Sequence, residues 1–216
     1  QLVSELAQAV VHLVRLADAL IAHTPQGDAL RAEQGLPGLD VVRPSDANET
    51  SVAWGEILRR SDRPAGIILS RQDLRTIPRG EKFASAEGVA NGAYVVSEAD
   101  GDVAVILLAS GSEVELALAS QEALQAEGIP TRVVSVPCQE WFDEQTAEYK
   151  ESVLPAAVTA RVSIEAGIAM GWSKYLGAKG ASVSIEHFGA SASGNKCFEE
   201  FGFTVDNVVA TAKSVL

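Results

Sequence analysis

The chain has 216 residues, enough for one large or two small domains with cores of their own, and 47% are hydrophobic against 21% charged. A formal net charge of -12 and a pI near 4.7 repel phosphate backbones and anionic membranes, which disfavours nucleic acid as a partner. No apolar run reaches the roughly 20 residues that a membrane span needs. The two cysteines, Cys138 and Cys197, stand far apart without metal-ligand spacing, as reduced thiols of a cytoplasmic protein do. The first residues lack the basic start of a signal peptide, and Gln1 in place of Met points to a fragment or a processed chain.

Residues 2–22 carry Leu2, Leu6, Val10, Leu13 and Leu20 at helical spacing, which predicts an amphipathic helix ended at Pro25 and Gly27. Residues 28–34 read as a further helical turn or a surface loop. A short strand over 39–43 follows, stopped by Pro44. Ser45 is the expected N-cap of a helix that runs through Trp54, Ile57 and Leu58. Residues 67–70 read as a buried strand. Together these make a β-α-β unit with parallel strands and a right-handed crossover. Residues 71–89 have no clean period and carry Pro78, Gly80 and Gly88, so the chain is expected to divide near residue 85, into 1–85 and 86–216.

Beyond that point the pattern turns regular. Residues 92–97 form a strand, and a short turn leads to Val103-Ala-Val-Ile-Leu-Leu-Ala109. The two strands are expected to pair as a hairpin. The second has no polar face, so it must be buried on both sides, as at the centre of a parallel sheet. Ser112 is placed to cap the next helix, with Glu115 where a capping box wants an acid. Strands over 131–136, 160–165 and 181–187 then alternate with helical segments, and Thr204 caps the last helix, 205–216. The fold class is therefore α/β: a three-layer, mostly parallel sheet with one antiparallel edge strand, preceded by a partial α/β unit.

Few residues stand out for chemistry. Gly111 sits at a strand-to-helix turn where backbone N–H groups can hold an anion, although a single glycine with no lysine after it is weak beside a phosphate loop. Glu165 and His187 fall at neighbouring strand ends, where open sheets bind ligands. The plainer expectation is a helix-capping glutamate and a histidine bonded to its own loop. Cys138 has no neighbour in sequence to activate it, and Cys197, beside Phe198 and Phe201, reads as core. Arg71 follows a strand directly and has the fork suited to phosphate. Its position alone balances that role evenly against a surface salt bridge.

The blocks Gly38-Leu-Asp-Val-Val-Arg-Pro-Ser-Asp-Ala-Asn-Glu-Thr50 and Ala65-Gly-Ile-Ile-Leu-Ser-Arg-Gln72 closely resemble the end of the pyrimidine-binding domain of transketolases. The likeness continues through Ala109-Ser-Gly-Ser-Glu-Val114, Arg132-Val-Val-Ser-Val-Pro-Cys138, Thr159-Ala-Arg-Val-Ser-Ile-Glu-Ala-Gly167, Glu186-His-Phe-Gly-Ala-Ser-Ala192 and Glu199-Glu-Phe-Gly-Phe-Thr-Val-Asp-Asn207. Cys138-Gln-Glu-Trp-Phe142 is similar to actinobacterial members. Residues 37–216 carry the resemblance. Residues 1–34 do not align beyond a faint likeness in 9–20, so Glu5, His12, His23 and Asp28 inherit no role.

The resemblance implies an enzyme that moves a two-carbon ketol unit between sugar phosphates, with thiamine diphosphate and Mg or Ca. It also implies a cytoplasmic homodimer whose third domain lies away from the cofactor. Carried across residue by residue, it gives Arg71 the role of binding the substrate phosphate. No catalytic, cofactor-binding or metal-binding residue of the family falls on this chain, so the isolated chain is expected to be inactive, with no cofactor of its own. Two alternatives stand beside this reading. One is a stand-alone dimerisation or small-anion-binding module, with its site near Gly111, Glu165 and His187. The other is the equivalent part of a relative such as 1-deoxyxylulose-phosphate synthase. Leu69-Ser-Arg-Gln72 and Glu186-His-Phe-Gly189 favour transketolase.

Overall fold

The computed structural model describes residues 38–216, so the helix expected over 2–22 and the segment 28–34 lie outside the described residues. The described chain opens with β1 (Asp40–Val42), α1 (Ala47–Arg59) and β2 (Ala65–Ile67). The two strands pair in parallel, as the β-α-β pattern requires. β2 stops at Ile67 rather than running to Ser70, and Leu69 is 53% exposed. The N-cap of α1 is Asp46, not Ser45: Asp46 Oδ1 accepts from the Glu49 amide at 2.8 Å, while Glu49 reaches back to the Ser45 amide at 2.8 Å. This is a capping box displaced by one residue.

A loop and a short 3-10 turn (Ala86–Asn91) lead to the main sheet: β3 (Tyr94–Ser97), β4 (Val105–Ala109), β5 (Thr131–Ser135), β6 (Arg161–Ile164) and β7 (Ala181–Val183). Its order is β3-β5-β4-β6-β7. β4 pairs in parallel with β5 and β6, and β6 in parallel with β7. The antiparallel edge strand is present, but the hairpin is not. β3 pairs with β5, Tyr94 facing Ser135, and not with β4. The reason lies in β4, where every residue is buried and both edges are taken by parallel partners. That leaves β3 the outer edge of β5.

Alternation along the strands sends side chains to two faces. Leu107, Ala109, Val133 and Ile164 meet α2 (Glu113–Ala126) and α7 (Val205–Ser214) through Val114, Ala117, Leu124, Val208 and Ala212. Ile106, Leu108 and Val134 meet α3 (Gln139–Asp143), α4 (Ala147–Val153) and α5 (Ser173–Leu176) through Phe142, Val153 and Tyr175, and meet Trp172 of the 3-10 turn (Ala169–Trp172) that precedes α5. Helices on both faces give the expected three layers. A further helix, α6 (Gly194–Glu200), precedes α7, which Thr204 caps through the Asn207 amide, as expected. Ser112 makes no side-chain cap to α2. At Gly92, φ is +80° and a Cβ would lie 2.2 Å from the Phe142 amide nitrogen, so a glycine is what lets the chain enter β3 against α3. Val42 and Ala53 of the β1–β2 unit share one apolar cluster with the main sheet.

Candidate functional site

The polar residues that matter gather where β1 meets the carboxyl ends of β4 and β6. Arg43 follows β1. Its backbone N–H donates to the Pro137 carbonyl at 2.7 Å, and its carbonyl accepts from the Gly111 N–H at 3.0 Å. Its guanidinium turns into the sheet's end. One nitrogen donates to Ser110 Oγ at 2.7 Å and to Glu165 Oε1 at 2.5 Å, and the other lies 3.3 Å from Glu113 Oε2. The second oxygens are also used. Glu113 Oε1 accepts from the Ala166 amide, and Glu165 Oε2 accepts from the Trp172 indole N–H. Glu113 and Glu165 are both buried, and the Arg43 side chain is 11% exposed.

Gly111 does no more here than make the turn, as the weakness of a lone glycine beside a phosphate loop leads one to expect. Its N–H is spent on the Arg43 carbonyl, a Cβ there would lie 3.1 Å from the guanidinium, and the facing side chains are acids. Glu165 does sit at a strand end, but it neither caps a helix nor meets His187. His187 is exposed, with Nδ1 against the carbonyl of Phe188 and its ring edge-on to Phe201. Cys138 is buried, and burial pushes its thiol far above the usual range, with Glu140 adding to the rise. Cys197 is half-buried at the surface rather than core. Arg71 projects from the exposed segment after β2 and has no ion-pair partner among the described residues. The neighbouring Gln72 side chain packs at the start of α6, 3.7 Å from where a Gly194 Cβ would stand.

Burial works against the charge of Arg43, but Glu113 and Glu165 outweigh it and hold the guanidinium charged. Burial pushes Glu113 above the usual carboxylate range. Arg43 pulls against the shift and Glu165 adds to it. A raised folded-state pKa gives stability that is complete below the unfolded value of about 4.3 and is lost as pH rises through the folded value. Glu113→Gln carries no titrating proton. It is therefore expected to flatten the fall in stability as pH rises above the unfolded carboxylate value of about 4.3, read from urea midpoints. A slope equal to that of the unsubstituted chain would remove Glu113 as its source.

A second knot ties α1 to the main sheet. Glu49, fully buried, accepts from Tyr94 OH and Ser135 Oγ, each at 2.7 Å, and Asp46 accepts from the Ile77 amide at 2.9 Å and from Arg79 at 3.3 Å. A third fixes the start of β1. The Trp141 indole donates to Asp40 Oδ2 at 2.6 Å, and Arg60 lies 4.5 Å over the Trp141 ring. Arg43, Glu113 and Glu49 escaped the sequence reading. The sequence places Arg43 inside a strand over 39–43, so the signal that singles out Arg71, an arginine directly after a strand, does not reach it; the structure ends β1 one residue earlier, at Val42.

Among the described residues no group of three or more His, Cys, Asp or Glu side chains is placed to hold a metal ion. Nor, among them, is any helix long and apolar enough to cross a membrane.

Two family models match in tandem. "Transketolase, pyrimidine binding domain" covers residues 14–76, and "Transketolase-like TK C-terminal domain" covers 92–204. The chain belongs to the transketolase family. It is 52% identical over 188 residues to the transketolase of Streptococcus pyogenes, covering 87% of this chain and 26% of that protein. Among solved structures, the transketolase from Leishmania mexicana superposes with a TM-score of 0.79 at 42% identity, over 89% of this chain and 27% of that one. The Pichia stipitis transketolase in complex with sedoheptulose 7-phosphate gives 0.78 at 35% identity, over 87% and 27%. The chain thus spans about a quarter of the length of the transketolases it matches.

Proposed function

We propose that this chain is the carboxy-terminal part of a transketolase, comprising the end of the pyrimidine-binding domain up to about residue 85 and the whole carboxy-terminal domain from 86 to 216. The complete protein transfers a two-carbon ketol unit between sugar phosphates. It uses thiamine diphosphate and Mg or Ca held by segments that precede this chain in the family, and works as a cytoplasmic homodimer. The observation that carries this reading is the pair of family matches, in order, over 14–76 and 92–204. The contribution of this chain to the reaction is Arg71. Its guanidinium presents two parallel N–H donors to a phosphate and holds the far end of the substrate, which orients the carbonyl end. Its exposure and its lack of an ion-pair partner among the described residues support that role, as does the sugar phosphate bound by the Pichia stipitis relative.

The test is a chimera in which this chain replaces the corresponding part of the Streptococcus pyogenes transketolase. Given thiamine diphosphate, Mg, a ketose phosphate donor and an aldose phosphate acceptor, the chimera is expected to transfer the ketol unit. The 216-residue chain alone is expected not to. A folded, cofactor-loaded chimera without transfer, or transfer by the isolated chain, would overturn the reading.

A further inference from the structure

The main sheet reverses its winding between β4 and β6. β4 is followed through α2 by β5 on one side, and β6 is followed through α5 by β7 on the other. In an open α/β sheet the crevice at the carboxyl ends of such a pair is where ligands bind. Here the crevice is walled by Ser110, Glu113 and Glu165, and what fills it is the guanidinium of Arg43. Two buried carboxylates and a hydroxyl around one planar cation suit a guanidinium better than an ammonium, because the fork reaches all three acceptors at once.

We propose that this crevice is a guanidinium-binding socket whose resident ligand is Arg43, and that through it the carboxy-terminal sheet positions the β1–β2 unit and hence Arg71. β1 and β2 pair at only three positions, too few to hold a two-stranded sheet in place unaided. The outer side of β1 is tied instead to the segments that follow β4 and β5. The Val41 amide donates to Glu140 of α3 at 3.2 Å, and the backbone groups of Arg43 are bonded to Pro137, just after β5, and to Gly111, just after β4. The Ile68 amide donates to the Val42 carbonyl at 2.8 Å, so the segment leading to Arg71 is hung on the residue before Arg43. Arg43 is thus a positioning residue. It touches no substrate and acts through β1, β2 and the segment that follows. The last link rests on the reading of Arg71 as the phosphate ligand.

The experiment uses the 216-residue chain and hydrogen exchange. Arg43→Ala leaves two buried carboxylates without their counter-charge. It is expected to speed exchange over residues 65–72 by about tenfold or more, while amides of β4 and β5 change by less than about twofold. Millimolar guanidinium chloride is expected to restore the slow exchange. Equal concentrations of urea (the same shape without charge) or sodium chloride are not. Unchanged exchange over 65–72, or a rise that guanidinium fails to reverse, would overturn the proposal. Should Arg43→Ala not fold, Arg43→Lys serves in its place, since it keeps the charge and loses the fork. Faster exchange over 65–72 supports the socket, and exchange equal to that of the unsubstituted chain rules it out. The two readings fail separately. Loss of guanidinium rescue removes the socket and leaves the effect of substituting Arg71. An Arg71 variant that binds phosphorylated donors normally removes the phosphate reading and leaves the rescue.

Discussion

Arg71→Ala in the chimera is expected to raise KM for a phosphorylated ketose donor by about 10²-fold, and to leave KM for an unphosphorylated two-carbon donor within about threefold. A hydrogen bond to a charged group is worth about 1.5–3 kcal/mol, and a bidentate fork makes two. Losing the fork therefore costs at least about 3 kcal/mol, or about two powers of ten in affinity. The loss is confined to binding because the phosphate lies at the far end of the substrate from the carbonyl. Arg71→Lys keeps the charge without the fork and is expected to lie between, at about tenfold. The thermal midpoint should hardly move, since an exposed side chain with no ion-pair partner among the described residues contributes little to folding. Steady-state kinetics with the two donors decide the matter. Equal losses for both would mean that Arg71 acts on the fold or on positioning. No loss for either would remove it from the substrate site.

Much of the architecture was legible in the residues. The unbroken run from Val103 to Ala109 announced a central parallel strand, and β4 is buried throughout with parallel strands on both sides. Thr204 was identified as the N-cap from its place alone, because capping is a local matter of one oxygen and one amide. Ser45 and Ser112 failed the same rule for reasons outside their own helices. Asp46 won the cap of α1 because its second oxygen also takes the Ile77 amide and Arg79. At α2 the acid that mattered was Glu113, drawn inward by Arg43, and not Glu115. The mistaken hairpin has the same origin. A short turn predicts that two strands run antiparallel, which β3 and β4 do, but not that a third strand stays out from between them.

The candidate site divides along the same line. In the sequence Arg43 ends one strand pattern and Arg71 follows another, and an arginine in either place can meet a phosphate or a carboxylate. What separates them is distant in the chain. Arg43 meets acids 70 and 122 residues away, while Arg71 meets none among the described residues. The Gly111 turn shows the same limit. Its N–H groups could have faced an anion, and the strand that closes over them decided otherwise.

The largest loss of stability is expected at Glu49. Glu49→Ala should destabilise the 216-residue chain by about 3–5 kcal/mol, read from urea unfolding with the slope of the transition unchanged. Glu49 is fully buried, and three donors depend on it: the Ser45 amide, Tyr94 OH and Ser135 Oγ. An unsatisfied buried donor costs about 1–3 kcal/mol, and a methyl group offers these three nothing. Arg79 lies 3.8 Å from Glu49 and would keep Asp46, so its charge is not orphaned and the loss stays within that range. Glu49→Gln retains one acceptor oxygen and should cost roughly half as much. Burial, and then Glu49, push the Tyr94 hydroxyl above its ordinary pKa, so it keeps its proton in the folded chain where an unfolded tyrosine would lose it. Stability should therefore fall as pH rises past about 10, and Tyr94→Phe should remove that part of the fall. Pairing Tyr94→Phe with Glu49→Ala should give a coupling of about 0.5–3 kcal/mol, because the two groups share one hydrogen bond. If Glu49→Ala unfolds within about 1 kcal/mol of the unsubstituted chain, the three donors have found water or one another, and α1 is held to the sheet by its apolar contacts instead.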